Sequence, residues 1–327
     1  MRNSKILIAM REGVAAAMRA DETTFIVGEG IANRGGVFTE SVGLLEKFGP
    51  ERVMDMPLSE NAFLGMCAGA AMCGSRAVCD IMFSDFLTLA MSPLVDQAIK
   101  IPYMSGGQFR MPLTILAFCG ISGSNGAQHS QSLYPWFMQM PGIKVVMPAT
   151  PYDMKGLLAS AILDDNVAIV LRHRALIHQE GELPEEDYFV PLGRAEVVRQ
   201  GTDVTVVAAG AMRYRLFKAA EILSQQGIEV ELIDPRTLMP LDTDTIAESV
   251  KKTNHLVVVD EAYSPCGLGA EIIATVQEKV FDYLDAPLKR IHPPSVPVPF
   301  SPNLEQAYLP DTEMIMRDIK KVLSINV

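Results

Sequence analysis

The sequence predicts an α/β protein made of two doubly wound domains. Short apolar strands rich in Val, Ile and Leu alternate with helix-like segments, first over residues 24–171 and again over residues 204–279. Such alternation is typical of βαβ units, in which helices cover both faces of a mostly parallel sheet. With 327 residues, 49% of them hydrophobic, the chain is long enough for about two cores.

The first domain is predicted over residues 1–185. A helix is expected over residues 6–18, followed by a strand over residues 24–27 that runs into the glycine-rich loop GEGIANRGG. The further strands are expected to be buried and lie over residues 77–83, 113–118, 144–147 and 168–171. The helices between them are expected over residues 61–73, 92–100 and 151–163.

A linker is predicted over residues 186–200, where the chain is acidic, contains Pro191 and lacks long periodicity. The second domain is predicted over residues 201–327. Its strands are expected over residues 204–208, 229–233 and 255–260, and its helices over residues 215–225, 243–252, 268–279 and 312–323. The proline-rich segment 293–302 is expected to be extended.

Charge and cysteine content exclude some functions and favour a location. The net charge of −11 disfavours binding to nucleic acid or to an anionic membrane. No signal peptide pattern is present, and the longest apolar run, residues 62–74, is too short to span a bilayer. The cysteines number five, form no C-x-x-C pair, and are expected to be reduced and mostly buried in a cytoplasmic protein. A disulfide between Cys67 and Cys73 is the alternative.

The segment MPLSENAFLGMCAGAAMCG places Glu60 in the first turn of an apolar helix that Ser59 can cap. A carboxylate at this position is explained by favourable charge on the helix dipole alone. The alternative is a carboxylate in a semi-apolar pocket, where burial raises its pKa and prepares it to share a proton.

Two further segments have the composition of a binding site. In GISGSNGAQHSQS, the polar side chains around His129 follow an apolar strand, and open α/β sheets bind ligands at the carboxyl ends of strands. A solvated surface loop is the other interpretation. In DIMFSDF, Met82 and Phe86 either pack in the core or form a flat apolar wall for a heteroaromatic ring. The polar end of the helix near residues 159–166 either holds a hard cation or is a capped helix terminus.

Taken in order, several motifs together resemble the β subunit of thiamine diphosphate-dependent 2-oxo acid and acetoin dehydrogenases, a transketolase-like family. The resemblance covers roughly residues 4–325 and rests on MPLSENAFLG, DIMFSDF, YMSGG, AQHSQS, PGIKVVMPATPYDMKGLL, DPRTLMPLD and VPVPFSPNLEQAYLP. It implies a pyrimidine-binding domain followed by a transketolase C-terminal-type domain.

The resemblance also implies roles for individual residues. Glu60 is expected to contact the ring nitrogen of the aminopyrimidine and so to favour the imino tautomer that accepts the proton of the thiazolium ring. Met82 and Phe86 are expected to line the aminopyrimidine ring, and His129 to face the substrate and the lipoyl group. A potassium ion is expected among main-chain oxygens of Leu113, Ala161 and Ile162, together with Asp164 and Asn166. Asn125 departs from the family motif before the histidine.

One motif is absent. Thiamine enzymes commonly bind the diphosphate and Mg²⁺ through a GDG motif, and this sequence contains none. The chain is therefore expected to carry half of a thiamine site and to form an α2β2 heterotetramer in which the α subunit supplies most of the Mg²⁺ ligands. A lipoyl-bearing acyltransferase is the expected second partner.

The expected substrate is pyruvate or acetoin, with transfer of the acyl group to lipoamide. Two other enzymes remain as alternatives, a branched-chain 2-oxo acid dehydrogenase β subunit and the C-terminal half of a split transketolase. A non-catalytic chain that kept the fold is disfavoured by the presence of Glu60 and His129.

Overall fold

The computed structural model describes residues 1–325, which divide into two compact units. The first unit contains Met1–Cys119 and Trp136–Leu192. The second contains Gly120–Pro135 and the chain from Gly193 onward. Both units are built around a mostly parallel sheet, which confirms the predicted fold class.

The first unit contains eight strands among its described residues. They are β1 (Arg2–Lys5), β2 (Thr24–Gly28), β3 (Val53–Asp55), β4 (Arg76–Phe83), β5 (Leu113–Cys119), β6 (Ile143–Val146), β7 (Val167–His173) and β8 (Glu180–Leu183). Six of these pair in parallel in the order β6-β7-β5-β4-β2-β3. The remaining two, β1 and β8, form a separate antiparallel pair.

The α-helices of the chain up to residue 192 include long helices that cover this sheet and short helices in the segments between its strands. They are α1 (Ile6–Ala20), α2 (Leu44–Phe48), α3 (Glu60–Met72), α4 (Ile101–Met104), α5 (Tyr134–Met138) and α6 (Pro151–Ile162). Gly13 allows α1 to approach α6 closely, because a Cβ atom at Gly13 would lie 2.9 Å from the Lys155 carbonyl oxygen. A side chain there would force the two helices apart.

The helix predicted over residues 92–100 is different in the structure. A 3₁₀ helix (Ser84–Ala90) leads into a π-helical segment (Ser92–Ala98) before α4 begins. Pro102 has no N–H group, so it cannot donate the α-helical hydrogen bond to the Ala98 carbonyl. The helical segment therefore does not continue past Ala98, and α4 begins as a separate helix with Pro102 in its first turn.

The second unit has six strands among its described residues: β9 (Glu196–Arg199), β10 (Val204–Ala208), β11 (Val230–Asp234), β12 (Thr237–Met239), β13 (Leu256–Val259) and β14 (Lys289–Ile291). Five of them form a sheet in the order β14-β13-β10-β11-β9, with only β9 antiparallel to its neighbour. The residues predicted as a linker thus include the edge strand β9.

The helices of the second unit begin with α7 (Met212–Ser224), α8 (Thr243–Thr253) and α9 (Leu268–Val280) and end with α10 (Pro302–Tyr308) and α11 (Thr312–Val322). Aspartates cap two of them. The Asp242 side chain accepts a hydrogen bond from Thr245 N at 3.1 Å, and the Asp311 side chain accepts one from Met314 N at 2.7 Å. Such caps satisfy N–H groups that have no partner inside the helix.

The cysteines agree with the expectation of free, mostly buried thiols. All five cysteines are free, and three of them, Cys67, Cys79 and Cys119, are buried. The alternative disulfide between Cys67 and Cys73 is therefore not formed. Within residues 1–325, no helix has the length and apolar character needed to cross a bilayer.

Candidate functional site

The carboxyl edge of the first unit's sheet brings the predicted cofactor residues together. Strands β2 and β4 are adjacent and parallel, with Gly28 opposite Asp80, so the residues that follow them lie at one edge. Glu29 follows β2, and Met82 lies at the end of β4. Met56 N donates to the Gly28 carbonyl at 2.9 Å, which ties the segment leading to Glu60 to the same edge.

Glu60 is the first residue of α3 and is half-buried. A negative charge at this end of a helix is favoured by the helix dipole. Ser59 occupies the N-cap position, but its hydroxyl donates to the Pro57 carbonyl at 3.3 Å and makes no cap hydrogen bond. The expectation that Ser59 caps α3 was wrong, because its hydroxyl bonds within the preceding turn.

Glu29 is a second carboxylate at this edge, and the sequence analysis missed it. Burial raises its pKa, and the negative charges of Glu60 and Asp80 raise it further. Its Oε1 atom is buried and has no hydrogen-bond partner among the described residues. The only sequence signal was its place in a glycine-rich loop after a strand, which does not show that it lies near Glu60.

The raised pKa of Glu29 predicts a pH-dependent effect on stability. The Glu29 carboxyl holds its proton more tightly in the folded chain than in the unfolded chain. The fold therefore becomes less stable as the pH rises above 4.5, the usual pKa of a glutamate. We expect Glu29→Gln to raise the thermal unfolding midpoint at pH 7.5 and to change it little at pH 4. The single tryptophan, Trp136, lies in the same unit and reports the transition.

The control for this experiment is Glu22→Gln, which removes an exposed carboxylate from the same unit. Glu22→Gln is expected to leave the difference between the thermal unfolding midpoints at pH 4 and pH 7.5 as it is in the protein without substitutions. An equal shift of the Glu29→Gln midpoint at pH 4 and pH 7.5 would contradict the assignment of a raised pKa to Glu29.

Met82 is held in a backbone conformation that is rare for its residue type. Its φ angle is +67°, and the pairing of β4 with β5 shifts register between Asp80 and Phe83. Irregularities of this kind redirect a side chain relative to the strand. Met82 N donates to Asp80 Oδ1 at 3.0 Å, so the Asp80 carboxylate stabilises the strained residue.

Asp80 is held in turn by a buried arginine from β7. Arg172 Nη1 and Nη2 donate to the two Asp80 carboxylate oxygens at 2.9 and 2.7 Å. Both side chains are almost fully buried, at 1% and 4% exposure, and the Phe118 ring centroid lies 4.0 Å from the guanidinium carbon. Burial raises the pKa of nearby Glu40, the charge of Asp80 raises it further, and Arg172 opposes both.

A row of aromatic side chains lies in the first unit. Phe118, Phe38, Phe83 and Phe86 make successive edge-to-face contacts, with ring centroids 4.7, 6.2 and 5.7 Å apart. Phe86 is half-buried in the 3₁₀ helix, whereas Phe83 is buried. Phe86 therefore packs against the apolar core and leaves part of its ring open at the end of the row. A role as an apolar wall for a heteroaromatic ring stays a prediction.

The five residues predicted to hold potassium lie around the end of α6 and the start of β5. Thr114 Oγ1 donates to the Ala161 carbonyl at 3.0 Å, and Arg76 Nη1 donates to the Asp164 carbonyl at 2.9 Å. Burial raises the pKa of Asp164, but its ion pair with Lys144 and hydrogen bonds from Asn166 hold it below the usual value. The Asp164 carboxylate is thus already bound by Lys144 and Asn166, so the ligands of an ion at this position would be main-chain oxygens.

His129 belongs to the second unit. It is half-buried and follows the short 3₁₀ turn Gly126–Gln128. Gly120, Gly123 and Gly126 all have positive φ angles, and Ser124 joins them at +55°. The glycines therefore serve a conformational purpose, since a loop with several such residues is costly to build from other amino acids.

Comparison with known proteins defines the class of these two units. The description "Transketolase, pyrimidine binding domain" matches residues 6–179, and "Transketolase, C-terminal domain" matches residues 193–315. A solved chain described as "Split gene transketolase, inactive beta4 tetramer" superimposes with a TM-score of 0.78 over 98% of this chain and 99% of that one. Its sequence identity is 20%, so it shows the fold alone.

Full-length relatives are more specific. The β subunit of acetoin:2,6-dichlorophenolindophenol oxidoreductase from Bacillus subtilis is 42% identical and covers 94% of both chains. The β subunit of the pyruvate dehydrogenase E1 component from Rhizobium meliloti is 42% identical over 96% of this chain and 68% of that one. The mitochondrial counterpart from Bos taurus is 40% identical over 97% of this chain and 90% of that one. The chain belongs to the family of β subunits of thiamine diphosphate-dependent pyruvate and acetoin dehydrogenase E1 components.

This result confirms the family that the motifs predicted. The members of this family are oxidoreductases. The pyrimidine-binding domain implies thiamine diphosphate as cofactor. Membership among β subunits implies an α subunit as partner.

Proposed function

We propose that this chain supplies the pyrimidine half of a thiamine diphosphate site, in an enzyme that cleaves the bond beside the carbonyl of pyruvate or acetoin. The observation that carries the proposal is the charge interaction at this sheet edge between Glu60, at the start of α3, and Glu29, which follows β2. A carboxylate at this position can accept a hydrogen bond from a protonated ring nitrogen and exchange the proton with it.

The residues at this edge fit an aminopyrimidine ring. Met82 and Phe86 present partly open apolar side chains for the ring face. Glu29 Oε1 is buried and has no protein hydrogen-bond partner among residues 1–325, which suits a polar group supplied from outside the chain. When bound, the cofactor supplies the electron sink for the reaction. Glu60 is proposed to hold the proton exchanged with the ring nitrogen.

The rest of the cofactor site is proposed to come from the α subunit. The sequence contains no GDG motif for the diphosphate and Mg²⁺. A pyrimidine site without a diphosphate site has no catalytic use by itself, so we expect an α2β2 assembly in which each active site uses both kinds of chain. Mg²⁺, with its preference for hard oxygen ligands, is assigned mainly to the α subunit.

His129 is proposed to face the substrate and the lipoyl group of an acyltransferase that receives the acyl group. An imidazole can donate a hydrogen bond through one ring nitrogen and accept one through the other, which suits contact with a thiol or a carbonyl oxygen. The proposal for His129 is supported by its position in a glycine-rich loop between β5 and β6.

A potassium ion is proposed among the main-chain oxygens of Leu113, Ala161, Ile162, Asp164 and Asn166. Neutral carbonyl oxygens in this number suit a large monovalent cation better than a compact divalent one. Its role would be to fix the end of α6 against the start of β5. Each carbonyl oxygen has two lone pairs, so the Asp164 carbonyl, which accepts from Arg76 Nη1, keeps one for an ion. The Ala161 carbonyl accepts from both Thr114 Oγ1 and Asp164 N, so an ion there would replace one of these bonds.

The proposed function is tested by a dye-reduction assay on this chain co-expressed with an α-like subunit, with thiamine diphosphate, Mg²⁺ and K⁺. Pyruvate, acetoin and a branched-chain 2-oxo acid are compared as donors. Activity is expected only when both chains are present, with pyruvate or acetoin as the better donor. Activity from this chain alone would overturn the shared-site proposal, and activity with neither pyruvate nor acetoin would overturn the substrate class.

The location of the protein stays a prediction. Relatives at similar identity include proteins from bacteria and proteins named as mitochondrial. A cytoplasmic site of action is proposed on the acidic composition and the reduced cysteines.

A further inference from the structure

The loop that carries His129, residues 120–135, is held by the second unit at both of its ends. Ile121 N donates to Glu261 Oε1 at 2.6 Å at the start of the loop. Ser132 Oγ donates to the same oxygen at 3.2 Å near its end. One carboxylate oxygen therefore joins two points that are eleven positions apart in the sequence, with His129 between them.

A second carboxylate, directly before Glu261, fixes the end of the loop. The Tyr134 hydroxyl donates to Asp260 Oδ1, and Ala262 N donates to the Tyr134 oxygen at 3.0 Å. Asp260 Oδ2 accepts from Gly269 N in the first turn of α9 at 3.0 Å. The Asp260 carboxylate thus links the loop to the end of β13 and the start of α9.

Both carboxylates are buried, at 4% exposure for Asp260 and 6% for Glu261. Burial raises the pKa of Tyr134 well above its usual value, and the charge of Asp260 adds to this effect, so the hydroxyl keeps its proton and remains a donor. Burial also raises the pKa of the Asp260 carboxyl, and the hydrogen bonds that it accepts from Tyr134 and from the Gly269 and Ala262 N–H groups oppose this rise. Hydrogen bonds are stronger in a buried site than in water.

The tip of the loop has contacts with the same unit. Ser124 N donates to Glu305 Oε2 in α10 at 2.8 Å. Phe300 packs on Gly126, where a Cβ atom would lie 3.6 Å from the Phe300 ring. A loop fixed at its ends and at its tip loses most of the freedom that would otherwise spread the position of its side chains.

We propose that Glu261 and Asp260 are positioning residues that set the place of His129 by closing its loop on the C-terminal-type domain. The consequence for the reaction rests on the proposed function of His129, whereas the closure itself does not. The two carboxylates do not need to touch the substrate, because they act through the loop. A histidine displaced by about 1 Å from its working position can lose much of its contribution to the rate.

The test uses the assembled enzyme with its α subunit and four variants of this chain, together with one double variant. Glu261→Ala removes the acceptor shared by Ile121 N and Ser132 Oγ, and Glu261→Gln keeps a neutral acceptor oxygen of the same size. Glu278→Ala, an exposed residue of α9 in the same unit, is the matched control. His129→Ala is made alone and together with Glu261→Ala.

Hydrogen exchange is measured first, because it does not depend on activity. Glu261→Ala is expected to speed exchange of the amides of residues 121–134 by about 10-fold, with β10 unchanged. Glu261→Gln is expected to restore most of the protection, and Glu278→Ala to match the unchanged protein. Unchanged exchange in Glu261→Ala, or faster exchange throughout the second unit, would overturn the proposal.

Acyl transfer to lipoamide is measured second. Glu261→Ala is expected to slow it by about 10-fold, and the double variant is expected to be no slower than His129→Ala alone. Losses that multiply in the double variant would overturn the positioning role. A normal rate for His129→Ala would instead overturn the proposed function of His129, while the exchange result would still decide whether Glu261 closes the loop.

Discussion

Glu60→Gln is expected to lower the dye-reduction activity of the assembled enzyme by at least about 100-fold. Glutamine keeps the size of the side chain at the start of α3 and can still accept a hydrogen bond, but it cannot hold the exchanged proton. The measurement is the kcat with saturating thiamine diphosphate and either pyruvate or acetoin as donor.

The matched control for Glu60→Gln is Glu22→Gln, an exposed carboxylate of the same unit. Glu22→Gln is expected to have the same kcat as the enzyme without substitutions. Binding of the cofactor to the Glu60→Gln enzyme is measured by the rise in thermal unfolding midpoint that the cofactor causes. This measurement distinguishes a loss of proton transfer from a loss of cofactor binding. A Glu60→Gln enzyme that retains cofactor and stays within about 3-fold of the unchanged kcat would contradict the role proposed for Glu60.

The second large effect is expected from Arg172→Met. This change leaves Asp80 and Glu40 as buried carboxylates without their cation, and the loss of stability is expected to be about 3–5 kcal/mol at neutral pH. Unfolding in urea, followed by the fluorescence of Trp136, measures it. Trp136 lies in the same unit as the ion pair.

The pH dependence of this loss has a definite sign. The pKa of Glu40 is already raised by burial and by Asp80, and removal of Arg172 takes away the charge that opposes both. A carboxyl with a raised pKa in the folded state keeps its proton there longer than in the unfolded state, so stability falls as pH rises above 4.5. The loss caused by Arg172→Met is therefore expected to be smaller at pH 5 than at pH 7.5.

Two further variants make the Arg172 experiment decisive. Arg110→Met removes an exposed arginine that pairs with Asp165 and is expected to cost less than about 1 kcal/mol. The double change Asp80→Asn with Arg172→Met removes both buried charges and keeps an amide oxygen that can accept from Met82 N, so it is expected to recover much of the stability. A loss for Arg172→Met no larger than that for Arg110→Met would show that the buried pair is not needed.

The Asp80 carboxylate contributes both to the stability of the sheet and to the geometry of the candidate site. The Asp80 carboxylate accepts from Met82 N and pairs with Arg172, so the same group holds the strained residue and the sheet behind it. The position of Met82 at the sheet edge is thus fixed by β7, which lies two strands away from β4 in the sheet.

Several features of this protein were determined by the sequence alone, because they depend on neighbours close along the chain. The βαβ alternation follows from the periodicity of short apolar runs, and it predicted two mostly parallel sheets. The helix α3 follows from an apolar segment of small residues, which predicted it to within one residue of its observed start at Glu60. The ordered motifs were specific enough to predict the family, although each motif by itself was not.

Other features were decided only by the tertiary structure, because their partners are distant in sequence. Glu29 is thirty-one positions before Glu60, and only the folded chain places their charges close enough to interact. Asp80 and Arg172 are 92 positions apart, and their pairing needs β4, β5 and β7 to be neighbours in one sheet. Short strands such as β1 and β8 have no local apolar pattern and form only through each other.

The loop of His129 shows the difference most clearly. Its glycines and its polar cluster were visible in the sequence, and they predicted a site. Nothing local showed that this loop, which lies between two strands of the first unit, packs with the second unit. That placement depends on two carboxylates more than 120 positions further on, at Asp260 and Glu261. Periodicity describes which face of an element is buried, whereas a long-range hydrogen bond is defined only once the sheets have formed.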